Sequence, residues 1–178
     1  MKINFYGFKA IYLHEMDRFR RTLGQSLLSP VISTCLYFIV FGSVIGGYVE
    51  NIDGVSYGSY IVPGLLMLTL LTQSISNTSF GIFFPKFNGT IYEILAAPIS
   101  TFEVVLAFVG AGATKTLIVG IVIFITSMFF VEVKVQYPLL MVFLLILVSF
   151  TFALFGFLIG LMSTNFEHTS TIPSLVIT

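Results

Sequence analysis

The feature that most constrains this chain is a run of 28 residues, Val104 to Val131, in which Lys115 is the only charge. Wound as one helix, such a run rises about 42 Å, more than the ~30 Å apolar thickness of a bilayer. Further uncharged stretches of near or above 18 residues precede and follow it, and stretches of that length are the mark of membrane-spanning helices. Charged residues make up only 9% of the chain, where a soluble domain would carry roughly 25%. The fold class that follows is all-α, a polytopic transmembrane helix bundle forming a single domain over residues 1–178. The formal net charge is zero, so no basic field points to nucleic acid.

Residues 5–21 predict an amphipathic helix. Phe5, Phe8, Tyr12, Met16, Phe19 and Leu23 recur at helical spacing, with Lys9, His14, Asp17, Arg18 and Arg21 around the flanks and far side. Such a helix lies flat at a bilayer surface. Spans are then predicted over 30–49, 60–84, 112–131 and 138–162, with Ser29 as cap and Pro30 as first residue of the first. The first third of the long run, from Val104, is placed at or below the cytoplasmic interface. Gly42 with Gly46, and Gly156 with Gly160, are spaced for close helix approach. Lys2, Lys9, Arg18, Arg20 and Arg21 precede the first span, whereas "ENIDGVS" after it carries only acids. The positive-inside rule therefore predicts a cytoplasmic N-terminus. The final apolar run, 171–178, is too short to cross and reads as the start of a fifth span cut short.

The second span has a polar middle, "TLLTQSISNTS". Thr69, Thr72, Gln73, Ser76, Asn77 and Ser79 share one half of its circumference. They read either as hydrogen-bonding glue between helices or as the lining of a polar path. Lys115 reads either as a boundary residue whose amine snorkels outward or as a buried intramembrane charge. Cys35 has no partner for an intrachain disulfide, and neither His14 nor His168 has a second ligand at metal spacing. "GAGATKT", 110–116, lacks the Gly that a phosphate loop needs before its Lys. No metal site, catalytic constellation or nucleotide site is predicted on this chain.

Between the second and third apolar runs lies "GTIYEILAAPIS", 89–100. Thr90 and Glu93 are spaced as a capping box, and Pro98 disfavours helix at Ala97. A helix of about seven residues is marginal in water, so Ile91, Ile94 and Leu95 need something to pack against. It is either a capped turn resting on its own span ends or a docking element for a cytoplasmic partner.

The basic amphipathic N-terminus, the order of spans, "NGTIYEILAAPIS" and the later "NFEHTSTIPSLVIT" together resemble the type-2 ABC (ATP-binding cassette) exporter permeases. The resemblance covers nearly the whole chain. It implies a bacterial inner-membrane permease of six spans that dimerises and exports a drug, lipid or polysaccharide. It implies that ATP and Mg are held by a separate ATPase subunit rather than by this chain. The short helix would be the coupling helix, carried by Gly89, Thr90, Glu93 and Pro98. The path would be lined by Thr69, Thr72, Gln73, Ser76 and Asn77. A non-transporting membrane scaffold or assembly protein is the alternative.

Overall fold

The structure is a computed structural model, and it describes residues 4–45, 51–52, 55–133 and 135–177. Helix α1 spans Phe5–Arg21. After a break at Thr22, α2 spans Leu23–Tyr37 and widens into π-helical turns over Phe38–Ile45. A short antiparallel pairing of Asn51–Ile52 (β1) with Val55–Ser56 (β2) follows. The chain continues as α3 (Tyr57–Phe87), α4 (Ile91–Ala96), α5 (Thr101–Met128), α6 (Pro138–Met162) and α7 (Phe166–Ile177). Among the described residues, four helices are long and apolar enough to cross a membrane: Leu23–Phe41, α3, α5 and α6. Helices α3 and α5, with 31 and 28 residues, rise about 46 and 42 Å, so each outruns the ~30 Å slab.

Several boundaries differ from the sequence expectation. The first span is helical from Leu23, and Pro30 lies inside it rather than at its start. Proline lacks only its own N–H, and the rest of the helix supports the turn around it. The helix that carries the long run starts at Thr101, three residues before the run's first residue, Val104, and Glu103 stabilises that end. Its carboxylate accepts from the Ser100 N–H at 2.8 Å, as a capping-box acid does. Helix α7 likewise begins at Phe166, before the apolar run at 171. Gly46, the end of the expected first span at Val49, and Lys134 lie outside the described residues.

The centre of the bundle is α3, which packs on α6 and on α5. Its contact with α6 is made through glycine. A Cβ on Gly156 would stand 2.5 Å from the Ile75 carbonyl oxygen, and one on Gly160 would stand 2.5 Å from that of Ser79. With no driving force from water inside lipid, helices associate by such close backbone approach. Gly112 of α5 plays the same part against Thr78. Where the backbones meet, the Ser74 hydroxyl donates to the Ser149 carbonyl at 2.6 Å.

Helix α1 is amphipathic as expected, but its buried face differs from the expected one. Asn4 meets Pro98 and Glu103, the Tyr12 hydroxyl donates to Thr114 at 3.0 Å, and Glu15 meets Lys115. From Asn4 to Glu15, α1 therefore runs side by side with the first half of α5, a distance of about 17 Å. The face turned inward carries Ile11, Glu15 and Phe19, while Phe5 is exposed. The core of the bundle's lower half joins Ile11 to Ile82, Val104, Ala107, Phe108, Ala153 and Phe157.

Candidate functional site

Three regions carry polar or exposed groups that packing alone does not require. The first is α4. Gly89 enters it with φ of +80°, a left-handed conformation that glycine adopts without steric cost. The expected capping box is not formed there: Thr90 is itself helical and makes no side-chain cap. A cap residue must be extended for its oxygen to reach the third amide, and the turn at Gly89 delivers Thr90 already wound. The capping acid of this region is instead Glu103, ten residues beyond Glu93. It also receives the Asn4 N–H, so one carboxylate joins the start of α5 to the start of α1. Pro98 follows the end of α4, and its carbonyl accepts from the Asn4 side chain at 3.2 Å.

Helix α4 has two faces. Ile91 and Ile94 pack on the lower core beside Phe8, Ile99 and Val105. Tyr92 is 73% exposed and Leu95 63% exposed, with Glu93 also in the open. No residue of α4 is fully buried. The two sequence readings therefore describe opposite sides of one helix: it rests on its own span ends and presents an aromatic, an aliphatic and an acid outward.

The second region is the polar stretch of α3, which the structure divides in two. Ser74, Thr78 and Ser79 are buried against α5 and α6. Thr69, Gln73 and Asn77 are half-buried, and Thr72 and Ser76 are exposed. These outer groups bond along their own helix. Thr69 and Thr72 each donate to the carbonyl four residues back at 2.8 Å, and Asn77 donates to Gln73 at 3.3 Å. Back-bonding of this kind lets a hydroxyl sit at the surface of an apolar helix without an unmet donor. Ser79, grouped with the outer residues in the sequence, belongs to the packed side.

The third region was only half visible in the sequence. Lys115 does not snorkel. It is 3% exposed, and its amine lies 2.7 Å from Glu15 Oε2. Arg18 approaches the same oxygen at 2.9 Å. Glu15 is 2% exposed, and its other oxygen, Oε1, has no hydrogen-bond partner among the described residues. Gly81 of α3 lies beside this carboxylate: a Cβ there would touch Oε2 at 3.4 Å. Glu15 escaped notice because an acid in a charged amphipathic helix ordinarily faces water. The available signal was its place in the Phe8–Ile11–Glu15–Phe19 series, which is a buried spacing.

On the side of the bundle where α3 and α6 begin, a cavity of about 790 Å³ opens between α3, α5 and α6. Val62, Leu66, Leu140 and Leu144 line it, with Ser59 and Glu132 among its polar groups. The Ser59 hydroxyl donates to the Glu132 carbonyl at 2.9 Å. At the opposite end, the Lys86 amine donates to the carbonyls of Leu161 and Ser163 at 2.7 and 2.9 Å. A cation suits that position, where the last carbonyls of α6 are otherwise unmet. Among the described residues, no group of three or more His, Cys, Asp or Glu is placed to hold a metal.

Helices of membrane-spanning length, with α3 and α6 meeting through glycine and a short exposed helix between α3 and α5, define a multi-pass membrane helix bundle. The match to known proteins makes this specific: residues 6–178 fit the family described as "ABC-2 type transporter", and the chain belongs to that family. It is 36% identical to the inner membrane transport permease YadH of Escherichia coli K12, over all of this chain and 70% of that protein. It is 23% identical to nodulation protein J of Neorhizobium galegae, over 95% of this chain and 65% of that protein. No solved structure matches the chain significantly.

Proposed function

We propose that this chain is the membrane-spanning subunit of an ATP-driven exporter. It would provide the path for a drug, lipid or polysaccharide and take its energy from a separate ATP-binding cassette subunit that holds ATP and Mg. The observation that carries the reading is the outward face of α4. Tyr92 and Leu95 are large, apolar and exposed, on a helix of six residues too short to be stable without contacts. Its inward side is already anchored by Ile91 and Ile94. An outward apolar pair flanked by an acid suits a protein partner in water. Motion of that partner would pass to α3 and α5, the two long helices that α4 joins. Gly89, Thr90, Glu93 and Pro98 shape this element, with Gly89 setting its direction.

The path itself is assigned to the open side of α3, with Thr69, Thr72, Gln73, Ser76 and Asn77. Uncovered polar groups at this depth are supported by apposition to a second copy of the chain around a shared polar channel. The N-terminus and α4 are assigned to the cytoplasm, where ATP is available, in keeping with the Lys and Arg that precede the first span.

The test is co-purification of the full-length chain with an ATP-binding cassette protein from its native membranes. Leu95→Glu and Tyr92→Ala should each lower recovery of the ATPase roughly tenfold, the loss of one apolar hot spot, while membrane levels of the permease stay constant. Unchanged recovery would remove α4 as the docking element. Failure of the unaltered chain to bind any ATPase would favour the scaffold reading.

A further inference from the structure

The buried charges at the α1–α5 contact carry an inference about how deep α5 sits. Lys115 lies 14 residues beyond Thr101 and 13 before Met128, in the middle of the helix. The apolar run containing it, Val104 to Val131, exceeds the membrane's apolar thickness by about 10 Å. Helix α5 can therefore settle at a range of depths, because the same length of apolar helix lies outside the slab at each of them. Within that range Lys115 stands between about 6 and 17 Å inside the inner boundary. At the shallow limit, an extended lysine side chain reaches the headgroups; at deeper settings it does not. An unpaired ammonium would thus draw α5 toward the inner boundary.

In the structure the Lys115 amine is held on Glu15 of α1, inside the protein, with Gly81 of α3 beside the carboxylate. We propose that the Glu15–Lys115 pair, with Arg18 on the same carboxylate, sets the depth of α5 in the membrane and with it the height at which α4 stands below the inner surface. Glu15 is a positioning residue: it touches neither path nor partner and acts through Lys115. The pair permits a deep setting that Lys115 alone would forbid. Because α4 joins α5 within the few residues 97–100, any change of depth reaches α4 directly. Asn4 and Glu103 tie α1 to the same end of α5, so α1 follows the movement as well. The direction of the expected movement rests on the cytoplasmic placement of α4 proposed above.

The experiment uses the full-length chain in native membranes, with Cys35→Ser and a single reporter cysteine, labelled by a membrane-impermeant maleimide. Tyr92→Cys should react only in inverted vesicles and Phe129→Cys only on intact cells. The reverse pattern would overturn the orientation but leave the depth test in place, read from the other face. Glu15→Gln should slow labelling of Phe129→Cys about fivefold as the outer end of α5 is drawn into the bilayer. Adding Lys115→Met should restore the original rate, because the apolar run of α5 then carries no charge to seek the headgroups. Equal rates in the parent and Glu15→Gln would overturn the proposal. So would a slow rate that persists in the double variant, since that would assign Glu15 a packing role alone. Should Glu15→Gln fail to accumulate in membranes, recovery of the protein by adding Lys115→Met supports the proposal, and continued loss overturns it.

Discussion

At the scale of single residues, what this bundle asks for is absence of bulk at a few positions. Gly156 and Gly160 stood out in the sequence by their spacing alone, and the structure puts both against the α3 backbone. Gly160→Leu should destabilise the folded chain by about 1–3 kcal/mol, the usual cost of forcing extra volume into a packed contact. Thermal unfolding in detergent checks it. Gly64, with nothing within 4 Å of an added Cβ, is the matched control. Gly64→Ala should leave the midpoint unchanged or raise it, by up to about 1 kcal/mol of helix propensity. Other residue-scale features were not legible. The capping box at Thr90 and Glu93 had the right letters, but capping depends on an extended backbone at the cap, and Gly89 turns the chain differently. Glu15 and Lys115 are 100 positions apart, and nothing local in either neighbourhood announces the other.

At the scale of elements, length and apolarity located the spans well, while their ends moved. Hydropathy reports where a helix can enter lipid, but a helix stops where its caps and turns dictate. Hence α5 begins at Thr101 under Glu103, below its apolar run, and α2 begins at Leu23, above a proline that had the letters of a start. The polar middle of α3 was legible as a stripe but not as two stripes, because hydroxyls suit both a tight helix contact and a wet surface. The division gives a prediction. In a Cys35→Ser background, Thr72→Cys and Ser76→Cys should react with a small hydrophilic thiosulfonate, whereas Ser74→Cys and Thr78→Cys should react at least about tenfold more slowly, as packed side chains do. Equal protection at Thr72 and Ser76 would turn the outer stripe to lipid and leave no polar path on α3. The Lys86 clamp gives another. Lys86→Ala should loosen the end of α6, seen as faster amide exchange at Ser163 and its neighbours, at a cost of about 0.5–1.5 kcal/mol.

At the scale of the whole molecule, the number and order of helices and the family followed from the sequence, because both rest on long uniform signals. Which side of α1 faces inward did not. An amphipathic helix is indifferent, on its own evidence, to whether its apolar side meets lipid or protein, and here the first half of α5 lies alongside it. The interlocking of α3 with α6 has a mechanical consequence. The two backbones are notched together at Gly156 and Gly160, and Lys86 rivets their C-terminal ends. At the other extremity, Ser59 fastens α3 to the segment leading into α6. A pair fixed at both ends and along its length behaves as a strut: it can pivot, but it cannot flex in the middle. If substrate passes along the open side of α3, the wall it touches travels as one stiff piece, and the hinges must be sought elsewhere, at Thr22 or at the turn before α4.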